Sequence, residues 1–199
     1  MHNKYKQFFP GLDIKAAFVS DSYRARFVTY DNGVETELYT QRISKTETDY
    51  IITPPTSVPT PAHKVFVNWI SDIPTGDFEE DSKKIVSDFS TIKFTESDPE
   101  KTFYALYDKQ SYEIVFKDPT TSFEETFTVR YGEEMPVAST VPSRPEDNLA
   151  LTMRLGFYGW TLNESSSGVV MSDSLANQVI VDLKSLMVDK NYIFYPVYI

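Results

Sequence analysis

The chain has no cysteine among its 199 residues. That excludes disulfides and thiolate chemistry, and it leaves the compartment open. Glycine is scarce, at 7 residues, and nowhere clusters into a phosphate-cradling loop. His2 and His63 are the only histidines. Neither has the carboxylate or histidine spacing of a zinc site. His63 has no serine elbow or other partner that would mark it as a catalytic base, so a hydrogen-bonded or solvent-facing role is expected of it. No apolar run approaches the ~18 residues that read as a membrane span. Residues 1–13 lack the basic-then-apolar order of a secretory signal, and the C-terminal end shows no hydrophobic anchor. Positive charge is also in deficit. Lys and Arg total 19 against 29 Asp and Glu, a net charge of -10. The acidic residues are scattered, and such a balance repels phosphate backbones, which argues against a nucleic-acid partner.

What the chain does have is aromatic residues, 15% of the total, carried by 13 Tyr and 14 Phe. With abundant Thr and Val they point to strands. They also recur at fixed spacing. Val65-Phe66-Val67-Asn68-Trp69 and Leu155-Gly156-Phe157-Tyr158-Gly159-Trp160 hold the two tryptophans. Tyr107 lies 38 residues after Trp69, and Tyr198 lies 38 after Trp160. Each tyrosine ends an aromatic run, 102–107 and 193–198. Two landmarks at one spacing, found twice, mark a repeated unit of roughly 90 residues, the size of a small domain. A third match is shorter. Ala16, Phe18, Ser22, Tyr23 and Phe27 correspond to Ala105, Tyr107, Ser111, Tyr112 and Phe116 at an offset of 89. The unit's closing strand therefore occurs three times and its body twice. This divides the chain into an N-terminal arm, 1–21, with a strand of closing type at 14–18, and two modules, 22–108 and 109–199. A lone strand exposes unpaired backbone groups, so the arm is expected to pair with a sheet edge of a neighbouring subunit or a preceding domain.

Within the first module, Tyr23 to Tyr30 reads as a strand, Asp31-Asn32-Gly33 as its turn, and Glu37 to Ile43 as the returning strand. Four prolines between Pro54 and Pro61 predict an irregular connection into the Trp69 strand. Asp77, with Glu80 three residues on, predicts a capped helix reaching about Val86. Asp88-Phe89 then leads to the closing strand at 102–107. In the second module the corresponding strands are Tyr112 to Phe116, Thr126 to Tyr131, an alternating run from Leu149 to Phe157, and 192–198. Ser165 to Gly168 reads as a turn and Asp173 to Gln178 as one turn of helix. Pro196 stands where the first module has Ala105, and a proline inside a strand predicts an edge or a bulge.

Tyr131-Gly132, Pro142, Pro145, Phe157, Gly159, Trp160 and the 194–198 run of the second module resemble the Listeria–Bacteroides repeat, the family of the internalin B-repeat. In the first module the matching residues are Phe66, Trp69, Asp88-Phe89-Ser90-Thr91 and Phe103 to Tyr107. The likeness covers nearly all of residues 14–199. The first module departs from it at Asn68, which replaces the glycine before the tryptophan, and at Ile43-Ser44, which replaces Tyr-Gly. Both modules are also long for the family. The resemblance implies two tandem β-grasp-like modules, all-β or β-rich α+β. It implies no catalytic residues. Such modules are spacers or binding units on bacterial surface proteins, and related units occur in large exported proteins and are suited to phage virions.

The remaining candidates for chemistry are weaker. Glu79-Glu80-Asp81, Glu124-Glu125 and Glu133-Glu134 lack the alternating spacing and turn glycine of a calcium loop and are expected to be solvated charges. Paired carboxylates for glycoside hydrolysis need a cleft, for which a domain of ~90 residues leaves little room. Trp160 and Tyr158 share a strand face, as a sugar platform would require. The first module puts Trp69 and Val67 in those places, which favours the core for both tryptophans. Asn163-Glu164-Ser165 fits a glycosylation sequon and is given no weight in a chain of bacterial or phage type. The sequence therefore predicts a non-catalytic structural or binding protein with no cofactor, no metal and no membrane insertion. Its expected partners are protein, by self-assembly or with neighbouring structural subunits, or else a host surface protein or glycan. Met1 without a signal peptide suits a virion protein: a capsid decoration, head-fibre or tail subunit. The alternative is a fragment of a bacterial cell-surface repeat protein, extracellular and acting as spacer or adhesion module.

Overall fold

The computed structural model describes residues 21–142, 156–167 and 169–199. These residues are β-rich and form two four-stranded sheets. The first holds β1 (Ser22–Asp31), β2 (Val34–Ser44), β3 (Lys64–Ile70) and β4 (Glu100–Lys109), in the order β2-β1-β4-β3. The second holds β5 (Ser111–Lys117), β6 (Glu124–Arg130), β7 (Phe157–Thr161) and β8 (Tyr192–Tyr198), in the order β6-β5-β8-β7. In each sheet the first and fourth strands are the inner pair and run parallel, while the first two strands are antiparallel. The parallel register sets Phe27 opposite Phe103 in one sheet and Phe116 opposite Phe194 in the other. The described residues divide into two compact units. One takes those up to Val58 together with Val67–Leu106, and the other takes Pro59–Phe66 together with those from Tyr107 onward.

Local chemistry accounts for the strands. Asn32 (φ 50°) and Gly33 (φ 83°) both lie at positive φ, as a two-residue hairpin turn demands. Ala25 and Phe27 are buried while Arg24 is exposed, the alternation of a strand. A bulge between Phe27 and Val28 leaves Leu38 of β2 without a partner. Phe27 and Val28, Trp69 and Ile70, and Phe103 and Tyr104 are consecutive pairs, all buried. Neighbouring residues on a strand face opposite ways, so the centre of the first sheet is covered on both faces. One face carries Phe27, Trp69, Phe89 and Phe103. The other carries Val28, Ile70, Tyr104 and Leu106, with Tyr30, Phe78 and Ile85 against them.

The helix capped by Asp77, α1 (Phe78–Ser82), is shorter than the sequence predicts. The chain leaves it because residues 84–86 are needed at the outer edge of β3. Ser71 N donates to the Lys84 carbonyl and Val86 N to the Trp69 carbonyl, with Ile70 and Ile85 bridged. These bonds occupy edge groups that would otherwise be unpaired. The second sheet repeats the device after α2 (Asp173–Val179), where Val181 N donates to the Trp160 carbonyl at 2.8 Å. Asp88 and Asp182 then cap matching 3-10 turns, Phe89–Thr91 and Leu183–Ser185.

Pro196 corrects an expectation. It stands in β8, an inner strand rather than an edge, opposite Trp160. The Trp160 carbonyl points outward to Val181, so Trp160 and Pro196 form a pair without mutual hydrogen bonds. The N–H that proline lacks would face the β5 side, where the last β5 pair is Phe116 with Phe194 and the next contact is the bridge from Val170 to Tyr198. The β5–β8 pairing thus stops before Pro196. The irregularity lies instead in the partner strand, as a register shift between Phe157 and Gly159. Apart from Asp21, Gly156 and Phe157, the N-terminal arm and the alternating run from Leu149 lie outside the described residues.

Candidate functional site

The two tryptophans are core residues. Phe27 meets Trp69 edge-on at 4.9 Å and stacks on Phe103 at 5.2 Å. Phe116 meets Trp160 at 4.9 Å, also edge-on, and stacks on Phe194 at 5.0 Å. Trp69 and Trp160 are 3% and 5% exposed, which removes them as a sugar platform. Tyr158 is the extra residue at the β7 irregularity and donates its hydroxyl to Asn177 Oδ1 at 2.8 Å. Gly159 explains one difference between the modules. A Cβ there would meet Ile180 Cγ2 at 3.1 Å. At the matching place in β3, Asn68 accepts from the Trp69 N–H at 2.8 Å.

His63 is half-buried. Its Nδ1 lies 2.8 Å from Tyr112 Oη and its ring stacks on Tyr131 at 4.1 Å, 5° from parallel. Its backbone sits at φ 60° and its carbonyl accepts from Gln110 N. These contacts hold a turn in place. Among the acidic groups, Asp81 departs from the expectation of a solvated charge. It is 1% exposed, and its carboxylate accepts from Thr75 N, Thr75 Oγ1 and Gly76 N at 2.9–3.1 Å, so it ties down the loop before α1. Asp118, just after β5, is likewise a buried carboxylate, accepting from Thr120 N and Oγ1 and from Tyr198 Oη at 2.7–2.9 Å. Glu125 accepts from Ser139 N and Oγ, and Glu133 from Arg130 N. Asn163 caps a 3-10 turn by accepting from Ser165.

Two arrangements had no signal in the sequence, because their members are scattered along it. The first is an ion cluster on the first sheet. Arg26 reaches Glu37 at 3.0 Å, Glu35 at 3.4 Å and Glu100 at 3.5 Å, and Arg24 reaches Glu100 at 2.6 Å. The bond to Glu37 raises the Arg26 pKa above that of an ordinary arginine. Tyr104 donates to Glu35 at 2.8 Å, and burial, helped by that carboxylate, pushes its pKa up to about 12. The second is a surface groove made of two adjoining concavities of about 380 and 490 Å³ that share Ser71, Thr91 and Ile92. Lys83 and Lys84 line one, and Lys93 and Lys101 line the other. Asp88 and Glu100 are the acidic residues in the lining. No group of three or more potential metal ligands occurs among the described residues. None of their helices is long and apolar enough to cross a membrane. Scanned against models of known protein families the chain matches none, and no curated protein matches it in sequence.

Proposed function

We propose that the chain is a non-catalytic structural and binding protein made of two tandem β-grasp-like modules, serving in a phage virion as a capsid decoration, head-fibre or tail protein. The observation that carries this reading is the internal likeness of the two sheets. Both have the strand order second, first, fourth, third, and both have a parallel inner pair. Each centres on one Phe–Phe–Trp cluster with nearly the same ring distances. A mixed sheet of that order supports the β-grasp likeness read from the sequence. The departure is the connection from second to third strand, which in the first sheet is proline-rich and irregular rather than helical. Duplicating a small module extends length and surface, which suits a shell or fibre component. Among the described residues, the buried carboxylates Asp81 and Asp118 hold loops and turns.

The test is location. Mass spectrometry of purified phage particles should find the chain at fixed stoichiometry, and antibodies against it should decorate the particles. Recovery from the envelope of uninfected bacteria, with none in particles, would sink the virion reading and support a cell-surface repeat protein instead.

A further inference from the structure

We infer that the groove of the first unit binds an anionic glycan, a sugar polymer bearing sulfate or phosphate esters. This stands whether or not the chain belongs to a virion. The two modules make the argument, because one serves as a control for what the fold itself requires. Val86 and Val181 donate to equivalent tryptophan carbonyls, which aligns Lys83 and Lys84 with Gln178 and Val179. The matching capped turns align Lys93 with Met187. The parallel register aligns Lys101 with Tyr192 and Thr102 with Ile193. None of the four groove lysines has a lysine as its counterpart. The fold is built without them, so they are not there to hold it.

The chemistry of the lining selects the ligand. In a chain of net charge -10 the lining itself carries four lysines against Asp88 and Glu100. Its acidic members are already engaged: Glu100 with Arg24 and Arg26, and Asp88 with Ser90. The lysines do have partners. Lys83 meets Glu80 at 2.6 Å, Lys101 meets Asp98, and Lys84 is 4.0 Å from Asp72. Pairs that accessible hold weakly, and an incoming anion can replace them. Lys93 lies over the Tyr50 ring at 5.5 Å. Lysines meet phosphate and sulfate as hydrated point charges, without the bidentate geometry of arginine. Ser71 and Ser87 add hydroxyls for sugar oxygens. The combined space lies in the range of ligand sites, and its open, two-lobed form suits a chain laid along it.

The experiment measures binding of the whole protein to heparin, to a phosphomannan and to neutral dextran at low and high salt. One or both charged glycans should bind, more weakly at high salt; dextran should not bind. Lys84→Gln with Lys93→Met should weaken binding about tenfold. Its thermal unfolding should change little, since Met187 fills the place matching Lys93 and the 4.0 Å Lys84–Asp72 pair holds weakly. Lys64→Gln, an exposed lysine outside the groove, should bind as the parent does. Failure of both charged glycans overturns the proposal. So does equal weakening by Lys64→Gln, or tighter binding to a single-stranded DNA oligonucleotide than to either glycan.

Discussion

Single side chains divide here into those that fill the centre and those that hold loops. Trp160→Ala removes the ring wedged against Phe116 and Phe157 and should cost about 3–5 kcal/mol, the range for truncating a buried large aromatic. Denaturant unfolding followed by circular dichroism measures it. Gly159→Ala should cost far less, because the atom it crowds is a methyl group of Ile180 that can shift by a few tenths of an ångström. Two tyrosines set the alkaline limit. Burial raises Tyr104 to about 12, and a hydrogen bond to Asp189 raises Tyr192 to about 12. A tyrosine in the unfolded chain titrates near ~10. The folded state thus holds its protons more tightly, and the stability this gives is present in full below pH ~10 and lost as pH rises toward 12. Tyr104→Phe should flatten that decline for the first unit. A pH series of unfolding midpoints from 9 to 12 reads it directly, and an unaltered slope would count against the assignment.

At the scale of elements, caps and edges decide where segments stop. Asp77 accepts from the N–H groups of Glu79 and Glu80, so Asp77→Ala should cost about 1 kcal/mol, measurable as a lowered unfolding midpoint of the first unit. Asp182→Ala should act similarly on the second, through the 3-10 turn that places Leu183 against the core. These features show what was legible in the sequence. Strand positions, the Asn32-Gly33 turn and the Asp77 cap are local chemistry, and each is visible in a few adjacent residues. The end of α1 was not legible, because it is set by the demand of β3 for a partner along its edge. The fit of Pro196 in an inner strand depends on which way the Trp160 carbonyl points, and on the β5–β8 pairing stopping at Phe116 and Phe194. Asp81 looked like one carboxylate among three, and only the fold brings Thr75 and Gly76 to it. The groove lysines were invisible for the same reason: their spacing in sequence carries no period, and three separate segments bring them together.

At the scale of the whole molecule, the grouping of residues does not follow the chain. Pro59–Phe66 belongs with the second unit, although it precedes most of β3. Its anchors are specific. Tyr107 donates to the Pro59 carbonyl at 2.6 Å and meets Phe66 edge-on. His63 stacks on Tyr131 and bonds to Tyr112. The stack contributes ~0.5–1.5 kcal/mol beyond area burial, and the hydrogen bond about 1 kcal/mol more. A cut at residue 109 therefore removes part of the second unit. The fragment 109–199 should unfold at lower denaturant than the second unit does in the whole chain. The sharper measurement uses the intact protein, with Trp69 and Trp160 as separate fluorescent reporters after replacing the other by Phe. His63→Ala should lower the transition reported by Trp160 by ~1–2 kcal/mol and leave the one reported by Trp69 in place. If the Trp69 signal shifts instead, His63 supports the first unit, and the segment belongs where the linear order of the chain would have put it. If both signals move together by the same amount, the two sheets unfold as one cooperative body.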